Sequence, residues 1–379
     1  MAEPAPRTPR QPFANAWFFP AATLYAALVL PWSLAGLLGL LPVPPGLATP
    51  YGHAHELLFG FALAVVAGYL LGPQPPRLTL LLLAAWALAR LGWLFWPGGW
   101  LASLGAALFA AGLVWKVVPR FVGAAKKWRN QSVAPLVIVL GLASVLGSLA
   151  PMLPVGPRVA QGFLLALATL LFFMGGRIIA PALAGHAQSR GWNLRARVQP
   201  RLEGTGLILL GLALIALLMA QERLAGLLLL AAGLVSGLRW LRWLPWRHLR
   251  RADLALLLLG YAWLVIGLLL FGAALLFAAL PLTVALHGIT VGALGTLTLA
   301  VMARTRLLYR FRDANARPWI HPAAGLLTLA ALARILPFLL EGNPRPWLLA
   351  AAGCWSLAYL MLFVLLWQTR GSVSPRSHT

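Results

Sequence analysis

The chain has 379 residues, 61% of them apolar and only 10% charged, with a formal net charge of +23 from 30 Lys+Arg against 7 Asp+Glu. A water-soluble domain carries about 25% charged and roughly 45–50% apolar residues. This chain has too little polar surface to coat a soluble body, which leaves an all-α polytopic integral membrane protein, and its single cysteine, Cys354, excludes a disulfide framework, a zinc knuckle and an iron–sulfur cluster.

A crossing helix needs about 20 largely apolar residues, and the long Leu/Ala runs here lack the period-2 alternation of a barrel. Residues 1–16 read as a disordered cytoplasmic tail. Twelve transmembrane helices follow in one domain over 17–368, near 17–40, 53–73, 78–96, 99–119, 133–153, 158–184, 203–221, 223–241, 254–279, 282–303, 321–341 and 345–368. Residues 369–379 form a C-terminal cytoplasmic tail. The breaks are chemical: Pro-rich 42–50, Gly72-Pro73-Gln74-Pro75-Pro76, Pro97-Gly98-Gly99, Pro154-Val155-Gly156-Pro157 and Gly342-Asn343-Pro344 cannot continue a helix. No cleavage site closes the first apolar run, so it reads as a retained span.

The basic residues follow this topology. Arg7 and Arg10 precede span one; Lys126, Lys127 and Arg129 follow span four; Arg190, Arg195, Arg197 and Arg201 follow span six. Arg242, Arg247, Arg250 and Arg251 follow span eight, and Arg304, Arg306, Arg310, Arg312 and Arg317 follow span ten. The alternate loops hold only Arg158, Arg223 and Arg345. All clusters therefore share one face, which the positive-inside rule makes cytoplasmic, together with both termini. The charge is chiefly a topology signal and an attraction to anionic membrane lipid. Arginines split among short loops do not point to nucleic acid.

Spans two and ten resemble each other: each carries His followed by Gly five residues later, His55 with Gly60 and His287 with Gly292. The next outward helices carry Ala87-Leu88-Ala89-Arg90-Leu91 and Ala331-Leu332-Ala333-Arg334-Ile335. This suits three copies of a four-helix unit, the middle copy having lost both the His and the Arg.

Ionisable residues inside a bilayer are expensive, roughly +2.5 to 3.5 kcal/mol on insertion scales, and are functional candidates by default. Arg90 lies about six residues, or about 9 Å at 1.5 Å per residue, from the outer end of its span, and Arg334 lies at similar depth. His287, His53, His55 and Glu56 sit near the same face. Three imidazoles and a carboxylate suit iron or copper; imidazole is also the usual axial ligand of haem iron. Guanidinium groups keep their protons and pair bidentately with carboxylates. Haem supplies both an iron for His and two propionates for Arg90 and Arg334, whereas a bare metal leaves the arginines without partners. His53 and His55 are about 200° apart on a helix, while Glu56 shares the face of His53. One arrangement has His55 and His287 facing haem and His53 with Glu56 holding copper; the exchange of the two histidines is nearly as economical. In the plainest alternative His53 marks the interface and Glu56 compensates a nearby arginine. His186, His248 and His378 fall in basic loops or the tail and are expected to be solvated, His321 to be interfacial, and Arg177 to snorkel to headgroups. Glu203 and Asp253 suit helix N-termini, and Glu341 sits about two turns from Arg334.

At Gly52-His53-Ala54-His55-Glu56-Leu57-Leu58-Phe59-Gly60-Phe61, at Gly175-Gly176-Arg177-Ile178-Ile179, and from His287-Gly288-Ile289-Thr290-Val291-Gly292 through Ala303-Arg304, the sequence resembles the NnrS family of bacterial cytoplasmic-membrane proteins. The likeness extends over nearly the whole chain, with Ala180-Pro181 departing slightly from the pattern. It implies twelve spans, haem with ligands among His53, His55 and His287, copper as a further metal, and a role in nitric oxide metabolism and protection from nitrosative stress. A wider analogy is the haem–copper oxidase core subunit, with twelve helices in three arcs and haem held from spans two and ten. That machinery needs six histidines, and only three lie in the outer leaflet here, so a binuclear oxidase-type centre is not expected. The leading expectation is a membrane haem protein that binds, senses or turns over species derived from nitric oxide, with an electron donor as partner if it turns over. The alternative is a transporter of haem, metal or an iron–nitrosyl species. An enzyme of quinol or dioxygen chemistry would need a second redox centre that the sequence does not supply.

Overall fold

The computed structural model describes residues 12–124, 128–153, 156–277, 280–340 and 343–370. Arg7, Arg10, Lys126, Lys127, Glu341, His378 and most of both expected tails lie outside them. The described residues form twelve principal helices: α1 Asn15–Leu37, α2 Pro50–Leu70, α3 Pro76–Phe95, α4 Trp100–Ala124, α5 Val133–Ser148, α6 Gly156–Ser189, α7 Pro200–Leu218, α8 Glu222–Leu241, α9 Ala252–Phe277, α10 Leu282–Phe311, α11 Pro322–Leu339 and α12 Pro344–Gln368. Eleven helices are long and apolar enough to cross a membrane. The exception is α5, apolar but only 16 residues long. The span expected over 133–153 is cut short because Pro151 turns the chain into a 3-10 segment, Ala150–Met152.

Proline and polar caps set the outer helix starts. Pro50 opens α2, where it gives up no helical donor, and the Thr49 hydroxyl accepts from the Gly52 amide. Pro344 opens α12 behind Asn343, whose side chain accepts from the Arg345 amide. Gly72, at φ +64°, makes the turn from α2 towards α3.

Consecutive helices pack side by side, and the last packs on the first, so the bundle closes as a ring. Trp355 and Ser356 of α12 donate to the Ala26 and Ala27 carbonyls of α1. Within the ring, α2, α6 and α10 are the most enclosed, with 83, 72 and 78% of their apolar windows buried, against 33–56% for the other long apolar helices. The inner helices therefore recur every fourth helix in chain order.

These three helices share a second feature. Each contains a π-helical stretch: Glu56–Ala62 in α2, Gly175–Ile179 in α6 and Gly288–Gly295 in α10. A π turn is wider than an α turn and is rare. Here each has a glycine under a neighbouring aromatic ring. A Cβ on Gly60 would stand 2.8 Å from Tyr25, one on Gly175 2.6 Å from Tyr261, and one on Gly292 2.6 Å from Trp263. The stretches in α2 and α10 begin six residues into their helices and that in α6 nineteen, so the first two match in depth and the third lies deeper.

Candidate functional site

The polar residues near one end of α2, α3, α10 and α11 separate into two groups. The first lines a cavity of about 410 Å³ walled by α1, α2, α6, α10, α11 and α12. That volume lies in the range of small-molecule and cofactor sites, about 300–1,000 Å³. Most of its wall is aliphatic; its polar members include His53, Gln161, His287, Thr290 and Arg334.

Hydrogen bonding fixes the state of His287. Arg334 can only donate, and its Nη2 lies 2.8 Å from His287 Nε2, so Nε2 carries the lone pair. The proton then sits on Nδ1, which donates to the Thr283 carbonyl at 2.5 Å. A backbone carbonyl on one ring nitrogen, leaving the other basic, is the usual support of a metal-bound histidine. Among the described residues Arg334 pairs with no carboxylate. His53 Nδ1 is buried with no hydrogen-bond partner among the described residues.

The second group is held together around Glu56. Glu56 and His55 are fully buried and Arg90 nearly so. Glu56 Oε1 accepts from Arg90 Nη1 at 2.8 Å and meets His55 Nδ1 at 2.7 Å, and Oε2 accepts from the Tyr25 hydroxyl. His55 stacks on Trp93, ring centroids 3.5 Å apart and planes 11° from parallel. Trp86 covers the group and donates to the Gly60 carbonyl. A desolvated ion pair survives only when most of its remaining lone pairs and protons are satisfied; Tyr25, His55 and Arg90 satisfy the Glu56 oxygens, while Arg90 Nε and His55 Nε2 are buried with no hydrogen-bond partner among the described residues.

The six expected site residues are thus not one set. The structure brings His53, His287 and Arg334 together and separates them from His55, Glu56 and Arg90. The cavity sets His53, rather than His55, beside His287, and His55 lies against Glu56. Glu56 does not join His53, despite lying three positions on, because a π turn begins there and its carboxylate is held by Arg90. A copper site on His53 and Glu56 is therefore not formed, and among the described residues no group of three His, Cys, Asp or Glu side chains is placed to hold a metal ion. Arg90 is already neutralised, leaving one guanidinium for an external carboxylate, not two.

The residues left at the cavity fit haem in kind: two imidazoles on facing helices, one with its Nε2 lone pair set by its partners, a guanidinium with no carboxylate partner among the described residues, and aliphatic walls. Comparison with known families finds a match to NnrS protein over residues 12–370. The chain belongs to the NnrS family. The match takes in both polar groups of this NnrS protein, and all three π-helical stretches fall within it. Comparison with the curated proteins finds no match.

Two further groups in the NnrS chain escaped sequence reasoning. His186 and His248, expected to be solvated, are both buried and face each other with their Nδ1 atoms 2.8 Å apart. Burial, then the neighbouring His186 and Arg247, pushes His248 down to about 4. His248 stands against Trp192, whose ring also lies under Arg247; the loop folds back, so sequence position alone misleads. Arg239 in α8 is buried, donates to the Phe172 carbonyl at 2.7 Å and packs on the Phe172 and Trp243 rings. In sequence it merges with Arg242 and the basic loop beyond. Gly176 is the signal: a Cβ there would collide with the Arg239 guanidinium, so the glycine makes room for that side chain. Arg177, by contrast, is exposed and lies over Phe173, as a snorkelling residue should.

Proposed function

We propose that this protein is a haem-binding protein of the bacterial cytoplasmic membrane that acts in nitric oxide metabolism or nitrosative-stress protection. The observation that carries the haem reading is the placement of His53, His287 and Arg334 on one aliphatic cavity of cofactor size. The link to nitric oxide rests on the family. Twelve crossings with both termini cytoplasmic accord with the basic loops, α5 reaching about 24 Å of a hydrocarbon core of about 30 Å, within the reach of local bilayer thinning. Three four-helix units are supported by the recurrence of the inner helices and their π stretches at every fourth helix.

In this reading His53 and His287 would hold the haem iron and Arg334 would pair with one haem carboxylate. Bound there, haem would supply a redox-active iron, open to nitric oxide only if one of the two imidazoles gave way. Thr283 holds the His287 proton on Nδ1, so Nε2 is the only basic nitrogen that ring can offer. Arg334 occupies that lone pair, so holding haem would require it to turn from the ring to the carboxylate. His55, Glu56 and Arg90 act as a rigid support that fixes the start of α2, and with it His53.

An optical spectrum of the detergent-purified protein tests this. A Soret band with sharp reduced α and β bands, lost in His53→Ala and His287→Ala but kept in His55→Ala, is the expected result. A colourless wild-type preparation would refute haem binding and leave the transport of haem, metal or an iron–nitrosyl species as the reading to pursue.

A further inference from the structure

A second cavity, of about 80 Å³, lies between α2, α6, α9 and α10. It is stacked on the first. Leu58, Leu164 and Val291 line the outer cavity, and Ala62, Leu167 and Leu294, three or four residues further on, line the inner one. The two are about one helical turn apart, ~5 Å. All three π-helical stretches reach the inner cavity: Ala62 closes the first, Gly175 opens the second together with Ile178 and Ile179, and Leu294 lies in the third.

Its walls are almost wholly hydrocarbon. The Thr298 hydroxyl is spent on the Leu294 carbonyl at 2.7 Å and on Tyr359 at 2.8 Å, so it offers little to a polar guest. The other polar side chain on the wall is Tyr69 at one half-exposed edge. An ordered water needs two to four polar partners, and apolar cavities of this kind stay dry and accept xenon or benzene. The volume exceeds the roughly 10–15 Å³ that admits one water-sized probe, yet falls well below the about 300 Å³ at which sites for drug-sized ligands begin. A quinone ring or a haem is too large to be enclosed there. Small uncharged gases fit, and they concentrate in the hydrocarbon that surrounds the bundle. Packing at native density leaves few voids of this size, and three rare wide turns converging on one marks it as built, since π turns gather at functional positions.

We infer that the inner cavity is a binding site for a small uncharged gas molecule. That the gas is nitric oxide rests on the function proposed above; the affinity for an apolar gas does not. Xenon is the probe. In crystals of the full chain pressurised with xenon, an anomalous peak is expected between Ala62, Gly175 and Leu294. It is lost in Ala62→Phe, which fills the space, and gains occupancy in Leu167→Ala, which enlarges it and guards against a filling variant that fails to fold. Absence of xenon from both wild type and Leu167→Ala overturns the proposal, as does ordered water or a lipid chain in the cavity. Pigment is scored separately in the same crystals: xenon without a Soret band refutes the haem reading alone, and a Soret band without xenon refutes the gas site alone.

Discussion

Removing the Glu56 carboxylate tests the separation of the two polar groups. Arg90 is 5% exposed at its side chain and Glu56 fully buried, and Glu56 accepts from Arg90, His55 and Tyr25. In Glu56→Gln one carboxylate oxygen becomes an NH2 group, so Tyr25 or His55 must turn from donor to acceptor while the guanidinium keeps its charge without a counter-ion. Breaking a buried pair from one side costs about 3–5 kcal/mol, and that is the loss expected in Glu56→Gln and in Arg90→Met. The double variant removes both charges, and replacement of a buried pair by neutral groups of similar volume is often close to neutral. It should recover most of the loss, giving a coupling energy of about 3 kcal/mol or more, beyond the roughly 0.5 kcal/mol expected of independent sites. Reversible unfolding in mixed micelles measures all four states. Single variants costing under about 1 kcal/mol, or a double variant costing as much as the two singles added, would show that this is not a mutually neutralised pair.

Acid should destabilise the fold at the end of the bundle that carries His186 and His248. The facing Nδ1 atoms of His186 and His248 require one donor and one acceptor, and a proton added to either ring makes both donors, beside Arg247. The folded His248 is pushed down to about 4, against about 6.5 when unfolded, so the unfolded chain binds more protons between these values. Stability is complete above about 6.5 and is lost as pH falls through that window; melting temperatures measured from pH 7.5 to 4.5 should decline, and His248→Phe should flatten the decline. At the crossing of α9 and α10, a Cβ on Gly267 would stand 2.7 Å from the Ile289 amide nitrogen and 2.8 Å from the Gly288 carbonyl carbon. Gly267→Ala must push the two backbones away from each other and should cost about 1–3 kcal/mol in the same unfolding assay, while Gly325→Ala, with nothing within 4 Å of its new atom, should not destabilise.

Topology was legible because membrane insertion writes it in composition. Apolar runs, proline breaks and basic loops located eleven of the long helices, and only α5 fell short, where Pro151 ended it earlier than its apolar run suggested. The costly residues were legible for the same reason, since Arg90, Arg334, His53, His55, Glu56 and His287 each stand out against hydrocarbon. Their grouping was not. Helical phase placed Glu56 beside His53, but phase describes one helix, whereas the partners of Glu56 come from α1 and α3 as well as α2. The π stretches escaped entirely, because hydrogen bonding to the fifth residue depends on what presses on the helix from outside. Arg239 was hidden by its neighbours in sequence, and His186 and His248 by the assumption that a polar loop faces water.

The ring closes where the first helix meets the last, through Trp355 and Ser356 on the Ala26 and Ala27 carbonyls. The outer cavity draws wall from both, Leu30 and Leu34 on one side and Ala351 and Trp355 on the other. Ribosomal order therefore matters: α1 waits in the bilayer through the synthesis of ten intervening helices, and the chamber stays open to lipid along that seam until α12 is released. Whatever it encloses is captured at the close of synthesis or afterwards, and a nascent chain arrested before α12 has a gap in place of a wall.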